Sequence, residues 1–261
     1  MDENINETDI DAETENTISI EEIRSLRSEI AAKLFILLVA LGFIWAFTVP
    51  LLVETHKPAI YLYNNVPVSI SIKLDKSIKY TNVIPSYKKK GWLVEADNSG
   101  FIRDLQPQYT NCNKLPYKKQ GFEYSKEACK INKYPYIYWD GKVNKRIENK
   151  TKGFVVKKED IYEFLNAKAD ELKLNENEKH EFVDYWTKQV KQANGKYFKI
   201  SFIQNEEVDA IFPITVSPQP KSYNRIQIII KKCSKNTKAE PQRLIPVMRE
   251  GLTLVEWGGI I

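Results

Sequence analysis

Residues 34–53 read LFILLVALGFIWAFTVPLLV: twenty positions without a charge and without Asn, Gln, Asp or Glu. At about 1.5 Å rise per residue, a helix of that length crosses a hydrocarbon core of roughly 30 Å. The run predicts a transmembrane helix over 31–53. A signal peptide is the competing reading, and three features oppose it. The preceding segment is long and acidic, the apolar core is nearer twenty residues than ten, and no small-x-small cleavage site follows. No Cys follows either, which excludes a lipoprotein anchor. Pro50 lacks the amide hydrogen a helix needs and is expected to kink or end it.

The two flanks differ in charge. Residues 1–30 carry ten acids against Arg24 and Arg27 alone, and residues 1–20 contain no aromatic. This reads as a disordered acidic tail, with a helix starting near Ser19 whose apolar Ile23, Leu26 and Ile30 recur at spacings of three and four. Beyond the run, 36 bases face 24 acids. Arg24, Arg27 and Lys33 before the run outnumber Lys57 after it, which predicts a cytoplasmic N-terminus and a large domain outside.

Residues 57–261 are long enough for one sizeable domain or two small parts, 57–150 and 151–261. Val66, Val68, Ile70, Ile72 and Leu74 alternate and predict a half-buried strand. A second strand is expected at 91–96, with a turn at 97–100 and a return strand from Phe101. Residues 104–133 are polar and read as a loop excursion before a strand at 134–139. A helix pair follows. Ile161, Phe164, Leu165, Ala169 and Leu172 share one face, and Asn175 with Glu178 has capping-box spacing for a second helix bearing Phe182, Val183, Trp186 and Val190. Strands are expected again at 197–203, 208–216, 226–231 and 252–257. The fold class is α+β: an N-terminal transmembrane helix, then a mainly antiparallel β domain with a packed helix pair.

Chemistry-bearing residues are sparse. His56 and His180 are the only histidines, too few for a zinc hydrolase or a histidine triad unless these two are used. There is no GxSxG, GxGxxG, Walker-type loop or CxxC, so no cofactor, metal or nucleotide is expected. Of the three cysteines, Cys112 and Cys129 lie in one loop-like stretch and are the natural disulfide pair outside the cytoplasm, which leaves Cys233. Tyr138, Trp139, Asp140, Glu256 and Trp257 are the candidate ligand-binding set: pyranose faces pack on flat rings, and carboxylates accept from hydroxyls. Alternating aromatics on strands also serve as core and cross-strand pairs, and that reading is the stronger one. Gly258-Gly259 predicts backbone at positive φ or a close approach, which a closing strand with its turn explains without a ligand.

Several segments form an ordered set: KPAIYLY at 57–63, Gly91-Trp92, YPYIYWDG at 134–141, GFVV at 153–156, Asp184-Tyr185-Trp186, and VEWGG at 255–259. The set resembles a family of uncharacterised bacterial proteins, usually secreted or membrane-anchored, and it covers nearly all of 57–260. This chain departs from the family pattern at Asn64, where Pro is usual, and at Asp140, where Glu is usual. The resemblance implies an envelope location and brings no catalytic residue with it.

Together these readings predict a single-pass membrane protein that displays a binding module in the cell envelope. Its expected partners are the lipid bilayer and either an anionic envelope polymer or a partner membrane protein, with no nucleic acid. Two alternatives remain open. One is an envelope glycan hydrolase using Asp140 and Glu256. The other is a scaffold subunit of a membrane complex that contacts its partner through residues 19–33.

Overall fold

The computed structural model describes residues 20–48, 52–107, 112, 124–145, 147 and 151–261. The chain divides into two units, Met1–Pro50 and Leu51–Ile261. The expected tail at 1–19 lies outside the described residues. The first unit carries helix α1 (Ile20–Thr48). Six consecutive apolar side chains, at 34–39, are 45–68% exposed around it. Among the described residues no helix is long and apolar enough to cross a membrane, and the side chains at 41–52 of the apolar run lie outside them. The run is also divided. Its last two residues, Leu52 and Val53, belong to a strand and pair with Asn144 and Val143.

The second unit is α+β. Its larger sheet has seven strands, in the order β3-β6-β1-β11-β10-β8-β7. These are β1 (Leu52–Tyr63), β3 (Lys79–Ile84), β6 (Ile137–Asn144), β7 (Phe154–Lys157), β8 (Tyr197–Gln204), β10 (Ser222–Cys233) and β11 (Thr253–Ile260). Every neighbouring pair is antiparallel except β10 and β11. The smaller sheet has the order β5-β4-β2-β9, from β2 (Val68–Leu74), β4 (Trp92–Ala96), β5 (Ile102–Asp104) and β9 (Ile214–Ser217). Both sheets mix strands from 57–150 and 151–261, so these are not separate sub-parts but one unit around one core.

The helix pair is present as α3 (Ile161–Glu171) and α4 (Glu176–Gln192). Asn175 accepts from the Glu178 amide while the Glu178 carboxylate accepts from the Asn175 amide, so the capping box forms as its spacing predicts. Several elements differ from expectation, strand β7 among them. Within the expected loop excursion, residues 124–131 form helix α2 (Tyr124–Ile131), and Cys129 on it is bonded to Cys112 with Cα atoms 5.6 Å apart. Strand β3 is a further element. The expected strand at 208–216 is instead a short helix α5 (Glu206–Ile211) followed by β9, because Glu206, Glu207 and Asp209 load the first turn with charges that suit a helix N-terminus.

Candidate functional site

Pro58 explains the local geometry. A proline cannot donate to a ladder, so inside a central strand it is tolerated only at an irregularity. Here β1 lies between β6 and β11, and both registers shift across His56 to Ala59. Lys57 takes a left-handed backbone at φ 47, an uncommon conformation for a residue with a side chain. Gly258 lies against the bulge: a Cβ there would come within 2.9 Å of Pro58 Cα. A Cβ on Gly259 would meet Ile228 at 2.4 Å and the Trp186 ring at 2.6 Å. The paired glycines thus serve close approach, and neither has positive φ.

The bulge directs Lys57 into the interior. Its amide donates to Asp140 Oδ1 at 2.9 Å, and its ammonium donates to Glu181 Oε2 on α4 at 2.6 Å. The Lys57 side chain is 4% exposed and that of Glu181 23%. The Tyr136, Tyr185 and Trp257 rings surround the ammonium, with centroids 5.9, 5.0 and 5.3 Å from Nζ. Asp140 also accepts from Asn82 Nδ2 at 3.0 Å and from the Tyr138 hydroxyl. One turn away, Glu178 on α4 accepts from Tyr63 and pairs with Arg249.

Electrostatics follow from burial. The Tyr61 hydroxyl is pushed well above its ordinary range by burial first, then by the nearby Tyr136, Glu181 and Glu178. Burial, then the Asp140 charge, raises Tyr185. Among the described residues the buried Tyr61 hydroxyl and Trp257 Nε1 have no hydrogen-bond partner.

Strand pairing sorts the five sequence candidates between two faces. Directly paired residues share a face, and successive residues alternate. Tyr138 and Trp257 both pair with Ala59, and with Asp140 they lie on the side that meets α4, where Phe182 packs edge-on against Trp257 at 5.6 Å. Trp139 and Glu256 lie on the other side. There Trp139 Nε1 donates to Glu256 Oε1 at 2.9 Å and its ring packs against Phe212, which leads into β9. Glu256 also pairs with Arg225, which bonds Asp209 and the Phe212 carbonyl as well. Burial works against the Arg225 charge, but Glu256, with Tyr223 and Asp209, more than offsets it and holds the guanidinium charged.

These positions decide what the candidates can do. A general acid and base must flank one bond. Asp140 and Glu256 have a sheet between them, and each is engaged by internal donors. All five candidates are buried, so no ring offers an open stacking face. What the sheet does bring together is Lys57, Asp140 and Glu181 with their ring cage. Lys57 and Glu181 are 124 residues apart in sequence. The one local signal for this cluster was Lys57-Pro58 placed ahead of an alternating strand. Among the described residues no group of three or more His, Cys, Asp or Glu is placed to hold a metal. The chain matched no protein-family model, no curated protein and no solved structure.

Proposed function

We propose that the chain is a single-pass membrane protein whose C-terminal unit lies outside the cytoplasm and acts as a binding module of the cell envelope. The observation that carries this reading is the run of six exposed apolar side chains at 34–39 of α1, continued by apolar sequence to Val53. Such a surface, apolar on all sides of a helix, suits lipid. The Cys112–Cys129 disulfide supports the sidedness, because structural disulfides persist in oxidising compartments. The charge argument runs the same way: Arg24, Arg27 and Lys33 precede the apolar run, and Lys57 follows it closely. The resemblance of the ordered motifs to secreted or anchored bacterial proteins agrees. Binding is favoured over turnover because Asp140 and Glu256 face opposite ways from the sheet.

The test is Asn98→Cys in a Cys233→Ser background, with Asn98 exposed in a turn. A membrane-impermeant maleimide applied to intact cells is expected to label it. Labelling only after lysis sinks the topology.

A further inference from the structure

Before its lipid-facing run, helix α1 carries a second and narrower apolar surface. Ile23, Leu26 and Ile30 are exposed, and exposed Leu34 and Leu37 continue them, at spacings of three, four, four and three. At 3.6 residues per turn the five fall within an arc of about 80°. The other described side chains from 21 to 29 are exposed and polar: Glu21, Arg24, Ser25, Arg27, Ser28 and Glu29. From residue 34 onward apolar side chains surround the helix, so 23–30 is where one side is set apart from the rest.

We infer that this stripe is the seam of a parallel homodimer, with α1 of a second copy of the chain packed along it; the inference rests on the single-pass placement proposed above. Lipid does not fit as the cover. Helix α1 is continuous from Ile20 to Thr48, so with 34–48 in the bilayer, residues 20–33 stand out of it by about 20 Å and do not lie flat on the headgroups. The C-terminal unit is on the far side of the membrane in that placement. A second copy does fit, for three reasons. Copies inserted in the same direction present the stripe at the same height, so it meets itself residue for residue, as a two-fold interface requires. Ile23 and Ile30 take the a positions and Leu26 the d position between them, and β-branched residues at a with Leu at d favour two parallel strands. The sequence also places an acid at both g positions, 22 and 29, and Arg27 at the e position. The g-to-e spacing of five sets position 22 of one copy against Arg27 of the other, opposite charges that favour this register. Lys33 falls at the next d position, and there the seam steps by four to Leu34, a stutter that locally unwinds the supercoil. Lys33 is held aside by Glu29 on its own helix, at 2.7 Å.

The experiment uses the full chain in native membranes. Cys233→Ser, with Cys112 bonded to Cys129, leaves one introduced cysteine as the free thiol. Under copper-phenanthroline oxidation, Leu26→Cys and Ile30→Cys are expected to form disulfide-linked dimers at least fivefold faster than Arg24→Cys and Ser28→Cys, which lie off the stripe. Equal rates at the four positions overturn the inference. So does a product in which the seam cysteines join a different protein, which would assign the stripe to a heterologous partner. A second measurement is the protein mass in detergent micelles by light scattering. The parent is expected to contain two chains, and Leu26→Lys with Ile30→Lys one chain. A parent with one chain, or a double variant that keeps two, overturns the inference. Thiol labelling at position 98 reads sidedness independently, so failure of the dimer and failure of the topology are told apart.

Discussion

Glu256→Gln separates an internal ion pair from a catalytic acid. Glu256 and Arg225 are both fully buried and bonded to each other, and Trp139 Nε1 donates to the second carboxylate oxygen at 2.9 Å. A glutamine can satisfy only one of these neighbours. With its oxygen towards Trp139, its amide nitrogen meets the Arg225 Nε–H, donor against donor. Breaking a fully buried pair by removing one partner costs about 3–5 kcal/mol. Asp209 still shares the Arg225 charge, from a side chain 36% exposed, which places the cost near the lower end, about 3 kcal/mol. A domain of this size loses roughly 2–4 °C of melting temperature per kcal/mol, so the expected fall is about 6–12 °C. Urea unfolding followed by tryptophan fluorescence measures the free energy, and a thermal scan measures the shift. Arg225→Met combined with Glu256→Leu removes both charges together and is expected to recover at least half of the loss. A Glu256→Gln protein within about 1 kcal/mol of the parent would refute the buried-pair account. An isosteric replacement that left stability intact while abolishing turnover on envelope glycans would point to the hydrolase.

Three further outcomes are expected. Lys57→Met keeps the apolar stem in its ring cage but strips Glu181 of its partner; it should cost about 1–3 kcal/mol, the partly exposed Glu181 screening the rest, whereas Lys221→Met at the exposed Lys221–Glu250 pair should cost under about 0.5 kcal/mol in the same urea titration. Replacing Cys112 and Cys129 by serine opens a closed loop of 17-residue separation and should cost about 3 kcal/mol, and reductant should lower the parent's melting temperature but not the variant's. Above pH 10 stability should fall: burial raises Tyr61, Tyr63, Tyr185 and Tyr223 above the tyrosine value of the unfolded chain, so from about pH 10 upward the unfolded state loses protons that the folded state keeps. Each such tyrosine costs up to about 1.4 kcal/mol per pH unit in that window and nothing below it, and urea midpoints flat from pH 9 to 11 would refute this.

The elements that the sequence reveals are those whose pattern is complete within one segment. The capping box at Asn175 and Glu178, the alternation through Ile70, Ile72 and Leu74, and the apolar faces of α3 and α4 all reappear in the structure. Strand β3 was hidden because Lys79, Tyr80 and Thr81 leave it without an apolar face at its start, and it is a strand only because β6 supplies its ladder. Helix α2 was hidden among polar residues that only a cysteine bond and neighbouring packing make useful. At the candidate site, Asp140 and Glu256 each stand out locally as an acid beside a tryptophan. Which face of the sheet each one takes depends on register with β1, a property of pairs far apart in sequence. The Lys57–Glu181 and Arg225–Glu256 pairs are invisible for the same reason.

The central position of β11 also sets a schedule for biosynthesis. Strand β11 separates β3-β6-β1 on one side from β10-β8-β7 on the other. Tyr61 meets Val255, and Ile60 meets Glu256, so β1 leaves the ribosome long before the strand that fills the slot beside it. Synthesis runs at about 5–20 residues per second, so β1 waits about ten seconds or more, with that edge open, for the strand that fills the slot beside it. Through that interval the apolar edge of β1 needs shielding from neighbouring chains. Exposure of that edge during synthesis is therefore built into the strand order itself.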